Sequence, residues 1–307
     1  MKIIFAGTPE FAVPSLEALA EKFQIAAVLT QPDKPQGRKG VLTPSPVKVA
    51  AAARGIPVLQ PEKLKADCSA LAAMGADLMV TCAYGQILTQ EVLDLFPLGV
   101  WNVHASLLPA YRGAAPIARA IMDGAAETGV TIMKTDVGLD TGDMFLQERI
   151  PVALTDTCGT LTQKLAALGA KLIVEAVSRI ARGDVALQKQ GEGSVCRKVT
   201  RTQIDFTRPA AEVSALVRGL SPAPLAYAAG EGILLNCYNA AALPYDGAEE
   251  AGTVLACSPK EGLVVRCGAG AVRLTEVQPA GGKRMADTAF ANGGKLRKGA
   301  RFDKPVL

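Results

Sequence analysis

One short stretch of the sequence, VWNVHASLLP at residues 100–109, contains the single histidine and the single tryptophan of the chain. Residues 99–103 form an apolar run typical of a buried strand, and the chain then turns toward Pro109. Side chains alternate along a strand, so Asn102 and His104 face the same side, with Cα atoms about 6.6 Å apart. An amide donor beside an imidazole suits the stabilisation of an oxyanion at a carbonyl under attack. A histidine that completes a buried hydrogen-bond network is the alternative interpretation.

A carboxylate for the same site could come from the motif VGLDTGD, which follows a strand candidate at 130–133. The glycines of this motif permit a tight turn. Asp140 could orient His104, keep it protonated or accept a proton from an incoming amine. The residues alone do not choose among Asp136, Asp140 and Asp143, and an ordinary Asx turn is the alternative.

The elements that must position these residues alternate between strands and helices. Apolar runs predict strands at 2–6, 25–29, 77–81, 99–103 and 130–133. Helical spacing predicts helices near 11–19, 47–54, 90–95 and 114–122, and a long helix at 156–182. This alternation is typical of βαβ units, so we predict an α/β, Rossmann-like domain with a parallel sheet. Such folds bind ligands beyond the carboxyl ends of their strands, where Asn102 and His104 would lie.

The pattern changes after Gly183, and a second domain is expected there. Residues 188–194 are polar and resemble a linker, and a helix is predicted at 210–219. Short strands are predicted at 232–237, 252–257, 262–267 and 271–277. Short strands separated by turn residues favour a small antiparallel barrel or sheet. We therefore predict a first domain at 1–187, a linker at 188–204 and a second domain at 205–307.

The charge of the chain is unevenly distributed. The net charge is +4 over 307 residues, yet residues 283–307 hold seven lysines and arginines against two aspartates. Clustered positive charge suits a polyanionic partner such as a nucleic acid. The alternative is a solvated charged surface that keeps the protein soluble.

Several classes of site are disfavoured by missing motifs. Neither G-x-G-x-x-G nor G-x-x-x-x-G-K-S/T is present, and Glu10 in the first turn, GTPEF, would repel a pyrophosphate. One histidine and seven scattered cysteines without a C-x-x-C pair cannot form an ordinary zinc site, so no metal is expected. The apolar runs are too short for a membrane helix or a signal-peptide core. We therefore expect a cytoplasmic protein that does not associate with a membrane.

Seven stretches of the sequence carry a resemblance to a known family: FAGTPEFA at 5–12, TQPDKPQGR at 30–38, PSPVK at 44–48, AYGQIL at 83–88, NVHASLLPAYRGAAPI at 102–117, ETGVTIM at 127–133 and DVGLDTGDM at 136–144. In these stretches the sequence resembles the methionyl-tRNA formyltransferase family. QPAGGKRM at 278–285 is similar to the C-terminal signature of that family. N-x-H-x-S-L-L-P with a later D-x-G-x-D-x-G marks the wider class of 10-formyltetrahydrofolate-dependent formyltransferases. The loop from Gln31 to Lys48 and the second domain narrow the resemblance to the tRNA enzymes.

The resemblance implies a catalytic trio of Asn102, His104 and Asp140. It further implies that tetrahydrofolate is bound by Ser106, Leu107, Leu108, Pro109, Tyr84, Gly85, Gln86, Ile87, Leu88 and Asp136. The implied reaction is attack by the free amine of methionyl-initiator tRNA on the formyl carbon of 10-formyltetrahydrofolate. Asn102 and a protonated His104 would hold the resulting oxyanion, and Asp140 would relay a proton. No metal is required.

The resemblance also implies an OB-like second domain that lies along the tRNA. In the loop from Gln31 to Lys48, Arg38 matches an arginine that reads the top of the acceptor stem. The residues expected to bind tRNA are Arg38, Lys39, Lys48, Lys283, Arg284, Lys295, Arg297 and Lys298. The protein is expected to act as a monomer.

Two other functions remain open at this point. A folate-dependent formyltransferase that acts on a small amine, such as glycinamide ribonucleotide or an amino-sugar nucleotide, would share the trio but would not need Arg38 or a basic second domain. A non-catalytic RNA-binding protein would use the OB-like domain, with the first domain as a scaffold. Tetrahydrofolate binding would count against the second alternative.

Overall fold

The computed structural model of the protein describes residues 1–37, 40–64 and 68–305. These residues form two compact units that alternate along the chain. The first unit comprises Met1–Ala114, Thr128–Ile150 and Thr162–Cys196. The second comprises Ala115–Glu127, Pro151–Leu161 and the chain from Arg197 onward.

The first unit is built on a mixed sheet. Its strands are β1 (Lys2–Gly7), β2 (Gln24–Leu29), β3 (Lys34–Gln36), β4 (Val41–Thr43), β5 (Val58–Leu59), β6 (Leu78–Cys82), β7 (Val100–His104), β8 (Arg112–Gly113), β9 (Glu127–Lys134), β10 (Met144–Pro151) and β11 (Val195–Cys196). Its helices are α1 (Val13–Lys22), α2 (Pro46–Ala53), α3 (Ser69–Met74) and α4 (Gln90–Leu93). The strand order of the main sheet is β10-β9-β7-β6-β1-β2-β5. Strand β8 pairs with β11, and β3 pairs with β4.

The central strands confirm the predicted parallel arrangement. Strand β1 lies between β2 and β6, β6 lies beside β7, and β2 lies beside β5, all in parallel register. After the exposed Lys2, the residues of β1 are buried on both faces of the sheet, as are those of β6. Continuous apolar runs rather than alternating ones are expected for such strands, which explains why the sequence shows them clearly.

The outer strands differ from the prediction of a parallel sheet. Strand β9 runs antiparallel to β7, with His104 beside Thr131 and Trp101 beside Lys134. The chain leaves the sheet where β7 ends and re-enters it at that same end of the strands. Strand β9 therefore runs back along β7. Strand β10 was not predicted; it is the edge strand, and its side chains are mostly partly buried or exposed, so its apolar signal is weak.

Helix α6 (Cys158–Ala181) covers the face of β7 opposite to Asn102 and His104. It begins after Thr157, whose Oγ1 accepts a hydrogen bond from the Thr160 amide at 3.2 Å. In the first unit, a Cβ atom on Gly169 would lie 2.9 Å from Cγ1 of Val103. This close packing holds the odd-numbered face of β7 against the helix and leaves the other face for chemistry.

The second unit consists mainly of strands. They are β12 (Thr202–Gln203), β13 (Ala226–Gly230), β14 (Ile233–Leu243), β15 (Val254–Ser258), β16 (Gly262–Arg266), β17 (Ala271–Pro279) and β18 (Met285–Ala286). Helices α5 (Pro116–Met122), α7 (Ala210–Gly219) and α8 (Asp287–Ala291) complete the unit. The strand order is β12-β13-β14-β17-β16-β15, and β18 pairs with β17. Most neighbours are antiparallel, as predicted, and the helix at 210–219 is confirmed.

An ion pair between the buried Asp287 and the partly exposed Arg273 fixes one end of this second sheet. The carboxylate of Asp287 accepts hydrogen bonds from Arg273 Nε at 2.7 Å and from the Leu263 amide at 3.0 Å. Pairing and hydrogen bonding compensate the burial of this charge. Across the described ranges, no helix is both long enough and apolar enough to cross a membrane.

Gly129 provides a test of the packing between β9 and β10. A Cβ atom at this position would press against the carbonyl oxygen of Glu148 and lie 2.6 Å from Cδ2 of Leu107. We expect Gly129→Ala to lower the stability of the first unit by about 1–3 kcal/mol, because the strands must separate. Urea unfolding followed by the fluorescence of Trp101, which lies in this unit, would measure the loss.

The matched control is Gly191→Ala. No heavy atom lies within 4 Å of a Cβ at Gly191, so this substitution should leave the urea midpoint unchanged. Equal midpoints for the two variants would contradict the close contact between β9 and β10.

Candidate active site

Asn102 is oriented by its neighbour on β6. Thr81 and Asn102 are register partners on the parallel strands β6 and β7. The buried Thr81 hydroxyl donates a hydrogen bond of 2.9 Å to Oδ1 of Asn102. The amide oxygen of Asn102 is therefore engaged, and Nδ2 is turned toward Asp140, whose Oδ1 lies 3.5 Å away. This weak contact leaves Nδ2 as a donor for an incoming oxygen.

His104 is buried, with 5% of its surface exposed. Its Nε2 lies 3.0 Å from the carbonyl oxygen of Tyr111, which can only accept, so Nε2 carries a hydrogen. Its Nδ1 lies 3.7 Å from Oδ2 of Asp140. Burial lowers the pKa of His104, and the charge of Asp140 and the Tyr111 carbonyl oppose this only in part. Burial thus favours the neutral ring with Nδ1 unprotonated, whereas the resemblance implies a protonated ring.

Asp140 reaches His104 by a different route from the one the sequence suggested. Because β9 is antiparallel to β7, its end at Lys134 lies beside Trp101, away from His104. The loop 135–143 folds back along β7, and the Asp140 carboxylate reaches Nδ1 of His104. Oδ2 of Asp140 also accepts a hydrogen bond of 2.8 Å from the Gly113 amide. Its backbone has a φ of +53°, an uncommon conformation that aspartate tolerates better than most residues.

The other two aspartates of the motif have different contacts. Asp136 accepts hydrogen bonds from the Gly138 amide at 3.0 Å and from the Thr141 hydroxyl at 2.9 Å, so it shapes the loop. The carbonyl of Asp143 accepts the Lys134 amide where the loop closes. Of the three candidates, the structure places Asp140 beside both Asn102 and His104.

The glycines of the motif are needed for close approach. A Cβ on Gly142 would collide with the carbonyl oxygen of Lys134, and one on Gly138 would collide with Oγ1 of Thr141. Gly113, whose amide holds Asp140, has a φ of +107°, and a Cβ there would lie against the carbonyl of Cys196. The spacing D-x-G-x-D-x-G therefore describes a loop compact enough to fold back over the sheet.

Sequence reasoning did not assign a role to Thr81, Tyr111, Gly113 or Gln190. Tyr111 and Gly113 act through their main chains, which leave no side-chain signal, although both lie within the stretch NVHASLLPAYRGAAPI. Gln190 lies in the polar segment 188–194, and its Nε2 donates to the carbonyls of Asp140 and Gly142 at 3.0 and 2.7 Å. The polar composition of the segment 188–194 gives no indication of these contacts.

Residues 106–109 form a tight turn after β7 that is anchored to β9. The buried Ser106 hydroxyl donates to the Ala110 carbonyl at 2.6 Å. Thr131 Oγ1 donates to the Ser106 carbonyl at 2.7 Å and accepts the Leu108 amide at 3.2 Å. Leu108 is buried, whereas Leu107 and Pro109 are partly exposed. The polar atoms of Ser106 are thus used within the turn, and Leu107 and Pro109 keep part of their surface exposed.

Residues 84–88 form a second loop that also combines buried and exposed side chains. Tyr84 is buried, and burial raises the pKa of its hydroxyl to about 12, so it stays neutral at physiological pH. Gln86 accepts the Leu64 amide at 2.8 Å and donates to the Pro61 carbonyl at 2.8 Å. Gly85 adopts a φ of +84°, and Leu88 is buried. Ile87, in contrast, is 84% exposed.

The expected tRNA-binding residues lie in different environments. Arg38 and Lys39 fall outside the described residues. Lys48 pairs with Asp33 at 2.7 Å, and Arg284 forms a two-point ion pair with Glu276 and stacks over Tyr238. Arg284 is nevertheless exposed, as are Lys283, Lys295, Arg297 and Lys298. The last four could contact phosphates without first breaking an ion pair with Asp33 or Glu276.

Within the described residues, no group of three or more histidine, cysteine, aspartate or glutamate side chains is arranged to hold a metal ion. Burial raises the pKa of the Cys82, Cys237 and Cys267 thiols to about 12. The groups available for chemistry at this end of β7 are therefore the amide of Asn102, the imidazole of His104 and the carboxylate of Asp140.

Comparison with protein families gives two matches along the chain. The formyl transferase model matches residues 1–177, and the model of the formyl transferase C-terminal domain matches residues 198–295. The first match includes β7 and the loop 135–143, which carry the three side chains described above.

Comparison with individual proteins also points to the formyltransferases. The chain is 46% identical over 313 residues to the methionyl-tRNA formyltransferase of Symbiobacterium thermophilum, covering 99% of this chain and 96% of that protein. An N-formyltransferase from Helicobacter canadensis, solved with folinic acid and dTDP-3-aminofucose, superposes with a TM-score of 0.66 at 19% identity over 89% of this chain and 98% of its own. HypX from Aquifex aeolicus, solved with tetrahydrofolic acid, gives a TM-score of 0.64 at 19% identity over 96% of this chain and 47% of its own. The two solved structures establish the formyltransferase fold, and the identity over nearly the whole chain shows that it belongs to the methionyl-tRNA formyltransferase family.

Proposed function

We propose that the protein transfers the formyl group of 10-formyltetrahydrofolate to the free amino group of methionyl-initiator tRNA. The observation that carries this proposal is the cluster of Asn102, His104 and Asp140 at the end of β7. The cluster occurs in a chain 46% identical to a methionyl-tRNA formyltransferase over 99% of its length. Folate as formyl donor is supported by the two solved formyltransferase-fold proteins that hold tetrahydrofolic acid or folinic acid.

The chemistry of the chain fits a folate. Ile87 on one loop and Val137 and Leu139 on another are exposed apolar side chains, with exposed fractions between 62% and 84%. Such side chains suit the flat faces of an aromatic ring system, as ligand sites commonly combine apolar walls with a few polar groups. We propose that Tyr84–Leu88, Asp136 and Ser106–Pro109 contribute to this site, mainly through the shape of their loops.

The three side chains would divide the reaction among them. The folate supplies a formyl carbon bonded to N10, which the amine attacks. Nδ2 of Asn102 donates to the formyl oxygen as negative charge develops there. Nδ1 of His104 accepts the proton of the attacking amine, and the Asp140 carboxylate stabilises the imidazolium that forms. The same proton then passes to the departing N10, so that neither a metal nor a covalent enzyme intermediate is needed.

The second half of the chain would bind the tRNA. We propose a catalytic domain at 1–187, a linker at 188–204 and an OB-like domain at 205–307. The exposed side chains of Lys283, Lys295, Arg297 and Lys298 support phosphate contacts by this domain, and Arg38, Lys39, Lys48 and Arg284 remain proposed contacts. We further propose that the protein acts as a cytoplasmic monomer.

A formyl-transfer assay tests the function directly. Wild-type protein with 10-formyltetrahydrofolate and methionyl-initiator tRNA should yield N-formylmethionine on the tRNA. His104→Ala should lower kcat by about 10²- to 10⁴-fold, because the proton acceptor is lost. Lys22→Ala, an exposed change on α1, serves as the control and should keep full activity. Turnover of glycinamide ribonucleotide with no product on tRNA would contradict the proposed substrate.

The titration of the single histidine tests the proposed role of Asp140. NMR of the His104 ring should give a pKa below about 6.5 and a hydrogen on Nε2. Asp140→Asn should move the titration to still lower pH, because the charge of Asp140 raises the pKa of His104. A shift to higher pH in Asp140→Asn would contradict this arrangement.

The same titration sets the pH dependence of activity and stability. The reactive neutral ring is lost as the pH falls through the lowered pKa, so kcat/KM should decline on the acid side. Between the lowered pKa and about 6.5, the unfolded chain binds a proton that the folded chain does not. The contribution of His104 to stability should therefore also fall as the pH falls through that window.

Salt dependence tests the phosphate contacts of the second domain. The triple variant Lys295→Ala/Arg297→Ala/Lys298→Ala should bind tRNA more weakly, because fewer counterions are released on binding. The slope of log Kd against log salt should decrease by about one for each phosphate contact that is lost. The double variant Lys22→Ala/Lys260→Ala removes exposed charge elsewhere and should change the slope little. A salt-independent loss in the triple variant would contradict phosphate binding by these residues.

A further inference from the structure

The segment 188–196, called here the strap, is hydrogen-bonded to the loop that carries Asp140. Gln190 in the strap directs its side-chain Nε2 at two main-chain oxygens of that loop. It donates to the Asp140 carbonyl at 3.0 Å and to the buried Gly142 carbonyl at 2.7 Å. One side-chain amide therefore holds the loop both at Asp140 and two residues beyond it.

The orientation of the Gln190 amide is set by Arg112. Nε of Arg112 donates to Oε1 of Gln190 at 2.9 Å, so this oxygen faces the guanidinium and the NH2 group faces the loop. A second guanidinium nitrogen of Arg112 donates to the Gly191 carbonyl at 2.9 Å. Two contacts from one planar group fix both the side chain and the backbone of the strap.

The strap also holds the turn that contacts His104. The Tyr111 amide donates to the Ser194 hydroxyl at 2.8 Å, and the Arg112 amide donates to the Ser194 carbonyl at 2.9 Å. This turn provides the carbonyl that accepts from His104 and the Gly113 amide that donates to Asp140. The strap is thus hydrogen-bonded to the segments that contact His104 and Asp140.

We propose that Gln190 is a positioning residue that holds the Asp140 carboxylate in register with His104 and Asn102. The inference rests on the proposed function, and it extends the active site to a residue that touches none of the reacting atoms. Asp140 has a φ of +53°, so the loop needs external contacts to keep this conformation. Gln190 supplies them at the carbonyl of Asp140 itself and at Gly142.

Two substitutions separate positioning of Asp140 from simple attachment of the strap. Gln190→Glu keeps an oxygen for Arg112 but replaces the NH2 donor by an oxygen that repels the carbonyls of Asp140 and Gly142. Gln190→Ala removes both sets of contacts. Lys189→Ala changes the exposed neighbouring residue of the strap and is the matched control.

We expect both Gln190 variants to lower kcat by about 10- to 100-fold, with the KM for methionyl-tRNA little changed. The reason is that the loop relaxes and Asp140 moves away from His104. Lys189→Ala should match the wild type. Full activity of Gln190→Glu would overturn the proposal, because it would show that attachment to Arg112 is sufficient.

The NMR titration of His104 supplies a second, activity-independent readout. Displacement of Asp140 removes a negative charge from the ring, so His104 should titrate at lower pH in Gln190→Ala than in the wild type. An unchanged titration in folded Gln190→Ala would overturn the proposal, even if that variant were inactive. A wild type that forms no product on tRNA would instead overturn the proposed function, and the titration would still report on Gln190.

Discussion

The turn Tyr111–Gly113 is the constraint on which the site depends. Its Tyr111 carbonyl accepts from Nε2 of His104 at 3.0 Å, and its Gly113 amide donates to Oδ2 of Asp140 at 2.8 Å. Three consecutive residues thus fix the tautomer of the imidazole and the position of the carboxylate. Because both contacts come from the main chain, the chemistry of the pair is set by the path of the backbone. The burial that lowers the pKa of His104 acts on a ring already held in one orientation.

The remaining elements keep that arrangement in place from three sides. Helix α6 packs against Val103 on the rear face of β7, Thr81 on β6 fixes the Asn102 amide, and Thr131 on β9 ties down the turn after β7. Parallel packing of β6 and β7 brings Thr81 level with Asn102, whereas the antiparallel β9 brings Thr131 level with His104. The site is therefore supported on one side of β7 by a parallel neighbour and on the other by an antiparallel one.

Much of this structure was accessible from the sequence because strong local signals coincide with the site. The apolar run before Asn102 predicted β7, period-two alternation placed Asn102 and His104 on one face, and helical spacing predicted 210–219 correctly. The direction of β9 could not be predicted from the sequence, because an apolar run has the same composition in either direction. The contacts of Gln190 could not be predicted either, because they are made to main-chain oxygens. A polar segment held by such contacts has the same composition as a linker. Asp140 lies beside His104, but β9 does not bring it there by ending at the same end of the sheet as β7, which was the reason that the sequence offered.

The main-chain origin of the acceptor for His104 also affects how the protein can evolve. A change of side chain at Tyr111 leaves its carbonyl in the chain, but the φ of +60° at this position restricts which residues can hold that carbonyl against His104. At Gly113 the restriction is tighter, because any side chain would meet the carbonyl of Cys196 at a φ of +107°. Both positions are therefore constrained by backbone conformation, Gly113 more strictly than Tyr111. The geometry of the His104–Asp140 pair is thus inherited through two backbone positions whose own side chains take no part in it.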